Sequence, residues 1–295
     1  DWCGCPGMIW PQSGDSVDLL TTDEKLKGME VLAKTARKLS TTTLCLGVQG
    51  QDTAEMLLFA EHMEKLAPPA IISRPPDSGK TEDDMRRYWH ALASVTKRPV
   101  FIQTTGGTAY KGPVPSVNLL VELAKDFPNF GYVKEEAGNV TARTRALLAA
   151  KPPIRRVFSA RGGLGWLYEL RLGSEGLITE RAIYADVLTR IWQLHKSGSD
   201  PAAMRDAYSK FVLMTNLATT HPGDLRGYPL YLWKKRGVFE TMVSRHYGPG
   251  GTTPKSPTLS ELKLSKGEIA EIEYRFESLA PHQKPGSPDF AAAAK

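Results

Sequence analysis

A lysine at the end of an apolar strand is the residue best suited to covalent chemistry in this sequence. Alternation along the strand places Phe130, Tyr132 and Lys134 on one face. Where such a face lines a folded interior, its neighbours desolvate the ammonium and favour the neutral amine, which attacks carbonyl carbons. The imine that forms is an electron sink for aldol cleavage or β-elimination in 2-oxo acids. The alternative is a solvated lysine paired with Glu135 or Glu136.

Two carboxylates follow this lysine directly. Adjacent strand residues face opposite sides, so at most one of Glu135 and Glu136 enters the same interior as Lys134. Alternation favours Glu136, which would then be a candidate general acid or base. The histidines and cysteines show no metal-ligand spacing. We therefore expect no metal ion, and no cofactor beyond the imine on Lys134.

Short apolar runs that alternate with amphipathic stretches must position this lysine. Helices follow most of these runs, which predicts an α/β fold with βαβ units around a parallel sheet. Helix-start signals occur at residues 21–24 and 52–55, where the first and fourth side chains have the spacing of a capping box. The predicted strands are residues 8–10, 43–48, 70–73, 99–103, 130–134, 154–158 and 176–179.

The same pattern divides the chain into three parts. Residues 1–198 are predicted to form strands 2 to 8 of a parallel barrel, residues 199–280 a C-terminal helical extension without strands, and residues 281–295 a flexible tail. Because seven strands do not close an eight-stranded barrel, we expect the first βα unit upstream of Asp1. An open doubly wound sheet is the alternative, but no Gly-rich dinucleotide fingerprint follows the first strand.

Composition excludes several classes of function. The chain has 295 residues, of which 41% are hydrophobic and 24% charged, and no apolar run approaches the ~18 residues of a membrane helix. The net charge of +6 is spread along the chain, so we expect neither a nucleic-acid nor a membrane partner. Three cysteines do not make a disulfide framework. No signal peptide is visible at Asp1, and we expect a cytoplasmic protein.

The segment around the lysine resembles a known family. Residues 132–139, Tyr-Val-Lys-Glu-Glu-Ala-Gly-Asn, are similar to the Schiff-base strand of the dihydrodipicolinate synthase and N-acetylneuraminate lyase superfamily. Residues 19–24, 47–55 and 172–178 resemble that family's second-strand exit, third strand with its helix, and eighth-strand entry, so the likeness spans nearly the whole chain. The resemblance implies a (β/α)8 TIM barrel, a class I aldolase-type lyase, and a homodimer or homotetramer.

The resemblance also implies a carboxylate-binding loop after the first visible strand. The family carries Gly-Thr-Thr-Gly-Glu there, and Gln12, Ser13 and Gly14 occupy the matching positions in this chain. Side-chain donors with backbone N–H groups near Gly14 would still hold a carboxylate. The alternative is an ordinary polar turn.

The family's proton-carrying tyrosine is replaced here by Gln103, which forms hydrogen bonds but does not shuttle protons at neutral pH. Tyr110 in the following loop is a candidate substitute. The residues expected to line the substrate pocket are Thr104, Ala160, Arg161 and Ile178, with Arg161 a contact for a distal carboxylate or hydroxyl. Arg74 meets either an acidic substrate group or solvent.

Three functions are compatible with these residues. The first is a lyase that makes or cleaves a carbon–carbon bond beside pyruvate or another 2-oxo acid held as an imine on Lys134. The second is a sugar-acid dehydratase that uses the same imine. The third is a barrel that binds a small acid without turning it over. The replaced tyrosine argues against authentic dihydrodipicolinate synthesis.

Overall fold

The computed structural model describes residues 1–13, 17–107, 109–217, 227–247 and 257–286. The chain divides into two compact units, here called the sheet unit (Pro6–Glu180) and the helical unit (Asp1–Cys5 with Arg181–Lys295). The sequence pattern placed the end of the barrel at residue 198. The division falls earlier because helix α7 (Ala185–Ser197) packs against helix α8 (Pro201–Thr215), a contact that spacing alone does not reveal.

The sheet unit contains six parallel strands that pair in chain order, and this confirms the predicted α/β class. The seventh predicted strand, residues 176–179, is reduced to one parallel bridge between Ser159 and Leu177. An eight-stranded barrel with a further βα unit stays a prediction. The strands are β1 (Gly7–Trp10), β2 (Thr43–Gly47), β3 (Ala70–Ser73), β4 (Val100–Gln103), β5 (Tyr132–Lys134) and β6 (Arg156–Phe158).

The helices between the strands begin where the caps predict. The Thr21 hydroxyl accepts from the Glu24 N–H, and the Glu24 carboxylate accepts from the Thr21 N–H, so the capping box is formed. Asp52 caps the next helix by accepting from the Glu55 N–H. The helices are α1 (Thr22–Ala36), α2 (Thr53–Leu66), α3 (Glu82–Val95), α4 (Val117–Asp126), α5 (Val140–Ala149) and α6 (Trp166–Leu172).

The two faces of the sheet differ in composition. Residues on one face pack against the helices and are almost fully buried; they include Leu46, Ile71, Ile102 and Val133. On the other face the Phe101 ring lies 5.2 Å from the Tyr132 ring and 5.3 Å from the Phe158 ring, between centroids, and all three side chains are half-buried. This second face ends in polar residues at the carboxyl ends of the strands, and those residues form the candidate site.

The helical unit contains α7, α8, α9 (Tyr228–Lys235) and α10 (Lys266–Glu277), each of which buries apolar side chains. It also contains an antiparallel hairpin, β7 (Val243–Tyr247) with β8 (Pro257–Glu261). The prediction that no strand follows residue 199 is therefore wrong. Neither strand shows the apolar alternation that reveals a half-buried strand. Of the predicted tail, residues 287–295 lie outside the described residues.

Candidate active site

Lys134 is the last residue of β5. It lies at the polar end of the second face of the sheet, which carries Phe101, Tyr132 and Phe158 and is called the inner face below. Its residue exposure is only 6%. Its neighbours in register are Gln103 on β4 and Phe158 on β6. The sequence pattern placed Phe130 on the same strand face as Lys134, which is wrong. Pro128–Phe130 forms a 3-10 turn before β5, and the Phe130 ring is buried in the hydrophobic core instead.

Among the residues that the structure describes, the ammonium of Lys134 has one close charged partner. Its Nζ lies 3.7 Å from Oε2 of Glu136, and among the described residues it makes no hydrogen bond. Glu135 points the other way: its side chain is 1% exposed and lies 3.1 Å from Nε of Arg143. The backbone alternation predicted from the sequence therefore holds through Glu136, which shares the lysine's side of the strand.

A chain of side-chain amides runs beside the lysine across the strand ends. Nε2 of Gln49 donates to Oε1 of Gln12, and Nε2 of Gln12 donates to Oε1 of Gln103. Nε2 of Gln103 lies 3.3 Å from Oγ1 of Thr105, which donates in turn to Oε1 of Glu136. The glutamines are buried, with exposures of 6% or less. This amide chain links the exits of β1, β2, β4 and β5.

The groups at the two ends of the amide chain determine which way its hydrogen bonds are donated. At one end an ionised Glu136 can only accept, so Thr105 must donate to it and Gln103 must donate to Thr105. At the other end Oε1 of Gln12 accepts from the Ser13 N–H at 3.0 Å as well as from Gln49. Every hydrogen bond in the chain therefore points toward Glu136, whose Oε1 is held as an acceptor.

Ser13 belongs to a second cluster, centred on Arg74. The guanidinium is 2% exposed and donates from Nη1 to the Ser13 hydroxyl at 2.7 Å. Its Nη2 lies 2.9 Å from Asp18 and 3.3 Å from Asp77. Because the Ser13 oxygen accepts from the arginine, its hydroxyl hydrogen is directed elsewhere and is available to a carboxylate. Gly14, predicted beside Ser13, lies outside the described residues.

The structure does not bring Tyr110 to the lysine. Its hydroxyl donates to the Pro113 carbonyl and lies 3.5 Å from the Met85 sulfur, and neither partner belongs to the amide chain. Burial raises the pKa of Tyr110 to about 12, which makes the phenol a poor proton donor and acceptor at neutral pH. The role predicted for Tyr110 in catalysis receives no geometric support.

Thr104 lies beneath the site rather than in it. The residue is fully buried, its hydroxyl donates to Oε1 of Glu135 at 2.9 Å, and it accepts from the Glu136 N–H at 3.0 Å. Thr104 and Glu135 therefore hold the loop that follows β5. This arrangement does not support the predicted contact between the Thr104 side chain and the substrate.

The three remaining predicted contacts follow β6. Ala160 is buried, and the half-buried Ile178 donates its N–H to the Ser159 carbonyl at 2.9 Å. Arg161 is exposed, yet its guanidinium donates to the backbone carbonyls of Glu136 at 2.7 Å and Gly138 at 3.0 Å. Its φ of 51° is unusual for a residue with a side chain. Arg161 thus ties the β6 loop to the β5 loop.

Sequence reasoning overlooked Gln49 and Thr105. Gln49 follows a buried strand, and a polar residue at a strand exit two positions after Gly47 is itself a signal. A Cβ on Gly47 would lie 2.5 Å from Oε1 of Gln49 and 1.8 Å from the Pro11 carbonyl oxygen, so only glycine leaves room for the amide. Oε1 of Gln49 is buried without a hydrogen-bond partner among the described residues.

The protein is an α/β protein with parallel strands in chain order and helices between them. Its candidate site lies at the carboxyl end of the sheet, where polar residues follow the strands. Several solved structures share this fold. Dihydrodipicolinate synthase from Cyanidioschyzon merolae with lysine bound has a TM-score of 0.75 at 14% identity, covering 95% of this chain and 88% of that one. A prophage protein of the dihydrodipicolinic acid synthase family from E. coli K12, in complex with pyruvate, has a TM-score of 0.73 at 17% identity, covering 95% and 88%.

Sequence comparison points in the same direction. A 4-hydroxy-tetrahydrodipicolinate synthase from Desulforamulus reducens is 23% identical over 180 residues, which cover 61% of this chain and 59% of that relative. No protein-family profile matches the chain. These weak sequence matches and the shared fold support the predicted resemblance to the dihydrodipicolinate synthase and N-acetylneuraminate lyase superfamily. Within the described residues, no helix has the length and apolar character needed to cross a membrane.

Proposed function

We propose that this protein is a Schiff-base-forming lyase that acts on pyruvate or a related 2-oxo acid, with Lys134 as its covalent residue. One observation carries the proposal: Lys134 is a buried lysine at a strand exit, with a single carboxylate 3.7 Å away and no hydrogen bond among the described residues. A structural lysine in that position would be expected to make close hydrogen bonds. This amine is left free to react.

The surroundings of Lys134 suit a 2-oxo acid. The hydroxyl hydrogen of Ser13 and the second amide hydrogen of Gln12 are not used by the contacts described above. Both are donors that a substrate carboxylate would accept from. Binding of the carboxylate there would orient the neighbouring C2 carbonyl for attack by the amine. Arg74 holds Ser13 in place, and its own charge is balanced by Asp18 and Asp77.

Trapping the imine tests the proposal. Protein incubated with pyruvate and borohydride should gain the mass of one reduced pyruvyl group, and peptide mapping should place it on Lys134. The Lys134→Ala variant should gain none. Lys151→Ala, which removes a partly exposed lysine paired with Glu175, serves as the matched control and should still be labelled. Absence of the adduct from the unmodified protein would refute the proposal.

The overall reaction is resolved in a second step. Candidate sugar acids are incubated with the protein, and the release of pyruvate and an aldehyde is compared with loss of water. Cleavage products support the lyase, whereas dehydration alone would favour the competing use of the same imine. The predicted homodimer or homotetramer is checked separately by light scattering.

A further inference from the structure

The carboxylate of Glu136 is held more firmly than a loop side chain usually is. Its backbone N–H donates to Thr104 and its backbone carbonyl accepts from Arg161. Its Oε1 accepts from Thr105, and its Oε2 lies 3.7 Å from Nζ of Lys134. The side chain is 14% exposed, so it is shielded from water but remains open to the inner face. Both the position and the orientation of the carboxylate are fixed.

We propose that Glu136 is the general acid and base of imine formation on Lys134, in place of a tyrosine. This inference rests on the proposed function. The geometry points to Oε2 as the atom that carries the proton, because Oε1 is occupied by the hydroxyl hydrogen of Thr105. A proton on Oε2 lies on the side that faces the reacting nitrogen.

Glu136 transfers one proton during imine formation and is regenerated at the end. Oε2 of Glu136 takes one proton from the Lys134 ammonium, and the neutral amine forms a C–N bond to the substrate's C2 carbonyl carbon. A proton then moves from nitrogen to the former carbonyl oxygen, giving a carbinolamine. Protonated Glu136 returns its proton to that hydroxyl, the C–O bond breaks, water leaves and the nitrogen lone pair completes the protonated imine. Glu136 ends as the carboxylate, and no oxidant or other reactant is needed.

No other described group serves the same purpose as well. Gln103 hydrogen-bonds within the amide chain but does not release a proton at neutral pH. Tyr110 is turned toward Pro113, and Glu135 is engaged by Arg143. The amide chain that leads to Glu136 carries no proton either. Because its bonds all point toward Oε1, it keeps that oxygen an acceptor and leaves Oε2 for the chemistry.

The rate of imine trapping tests Glu136. Protein is mixed with pyruvate, quenched with borohydride at successive times and analysed by intact mass. Glu136→Gln should form the Lys134 adduct about 100-fold more slowly than the unmodified protein, the lower range for loss of a general acid–base group. Glu61→Gln removes an exposed carboxylate on α2 and should leave the rate unchanged. Circular dichroism checks that each variant is folded.

Rescue by a small acid distinguishes a catalytic role of Glu136 from a structural one. Glu136→Ala leaves space beside Lys134, and added formate should accelerate its adduct formation by about tenfold or more if a carboxylate is the missing group. The proposal is overturned if Glu136→Gln traps pyruvate at the unmodified rate, or if formate leaves a folded Glu136→Ala variant equally slow. A protein that forms no adduct even with Glu136 present would instead remove the proposed function, so the two failures are distinguishable.

Discussion

In the described part of the sheet unit, two buried cations lie at the carboxyl ends of strands, and their surroundings differ. Arg74, directly after β3, is 2% exposed and makes contacts of 2.7 to 3.3 Å with Ser13, Asp18 and Asp77. Lys134, at the end of β5, is 6% exposed and has one carboxylate at 3.7 Å. Burial is nearly equal in the two cases, but the number and distance of the partners are not.

The difference separates a supporting charge from a reactive one. A guanidinium between two carboxylates is compensated, and removing it would take a close cation away from two carboxylates that are at least partly buried. Lys134 is held by fewer contacts, since its one carboxylate neighbour among the described residues lies 3.7 Å away, and this leaves its nitrogen available to an electrophile. Burial alone would have selected both residues as candidates. The partners identify Lys134 as the one suited to chemistry.

Removing each charge in turn should affect stability very differently. Arg74→Met should lower the free energy of unfolding by about 3 kcal/mol, because Asp18 and Asp77 lose their shared cation. Lys134→Met should change it by less than about 1 kcal/mol, because Glu136 keeps its bond from Thr105. Urea unfolding of both variants at pH 7 measures the difference.

The free energy of unfolding that Arg74→Met loses should also depend on pH. Burial raises the pKa of Asp77, and Arg74 opposes that rise. Without Arg74 the folded-state pKa of Asp77 rises further, so stability is retained at low pH and lost as the pH increases through that value. The deficit of Arg74→Met should therefore be smaller at pH 5 than at pH 7. Equal effects of the two methionine variants would contradict the contrast between the cations.

The Thr105 hydroxyl orients Glu136, the carboxylate nearest to Lys134 among the described residues. Thr105→Val removes the hydroxyl that joins Gln103 to Glu136 while keeping the shape of the side chain. We expect a loss of about 1.5 kcal/mol in the free energy of unfolding, the lower range for one hydrogen bond to a charged group. Thr105→Ser retains the hydroxyl and should lie close to the unmodified protein. Indistinguishable valine and serine variants would show that this contact does not support Glu136.

The sequence predicts the sheet and the lysine better than the lysine's surroundings. Apolar alternation locates β5 and the side of the strand on which Lys134 and Glu136 lie, because strand period is a local property. It does not reveal that Gln12, Gln49 and Gln103 meet, since the register between strands brings together residues far apart in the chain. The hairpin of the helical unit is missed because its strands carry little apolar pattern.

A further prediction concerns a buried carboxyl that makes no ion pair among the described residues. Glu169 on α6 is 8% exposed, and burial raises its pKa, although a hydrogen bond from Ser159 and the charge of Arg161 oppose the rise. A carboxyl with a raised folded-state pKa favours the folded state when protonated, and this contribution is lost as the pH rises through the folded-state value. It therefore penalises the fold at neutral pH.

Glu169→Gln removes this penalty and keeps an oxygen that accepts from Ser159. The variant should be more stable than the unmodified protein at pH 7, and the difference should shrink as the pH falls toward about 4, where the unfolded carboxyl also becomes protonated. Urea unfolding at both pH values measures it, with Glu61→Gln on α2 controlling for loss of an exposed charge. A pH-independent difference would mean that Glu169, like Asp18 beside Arg74, is compensated in the fold. Lys134 would then be the one poorly compensated buried charge of those compared here.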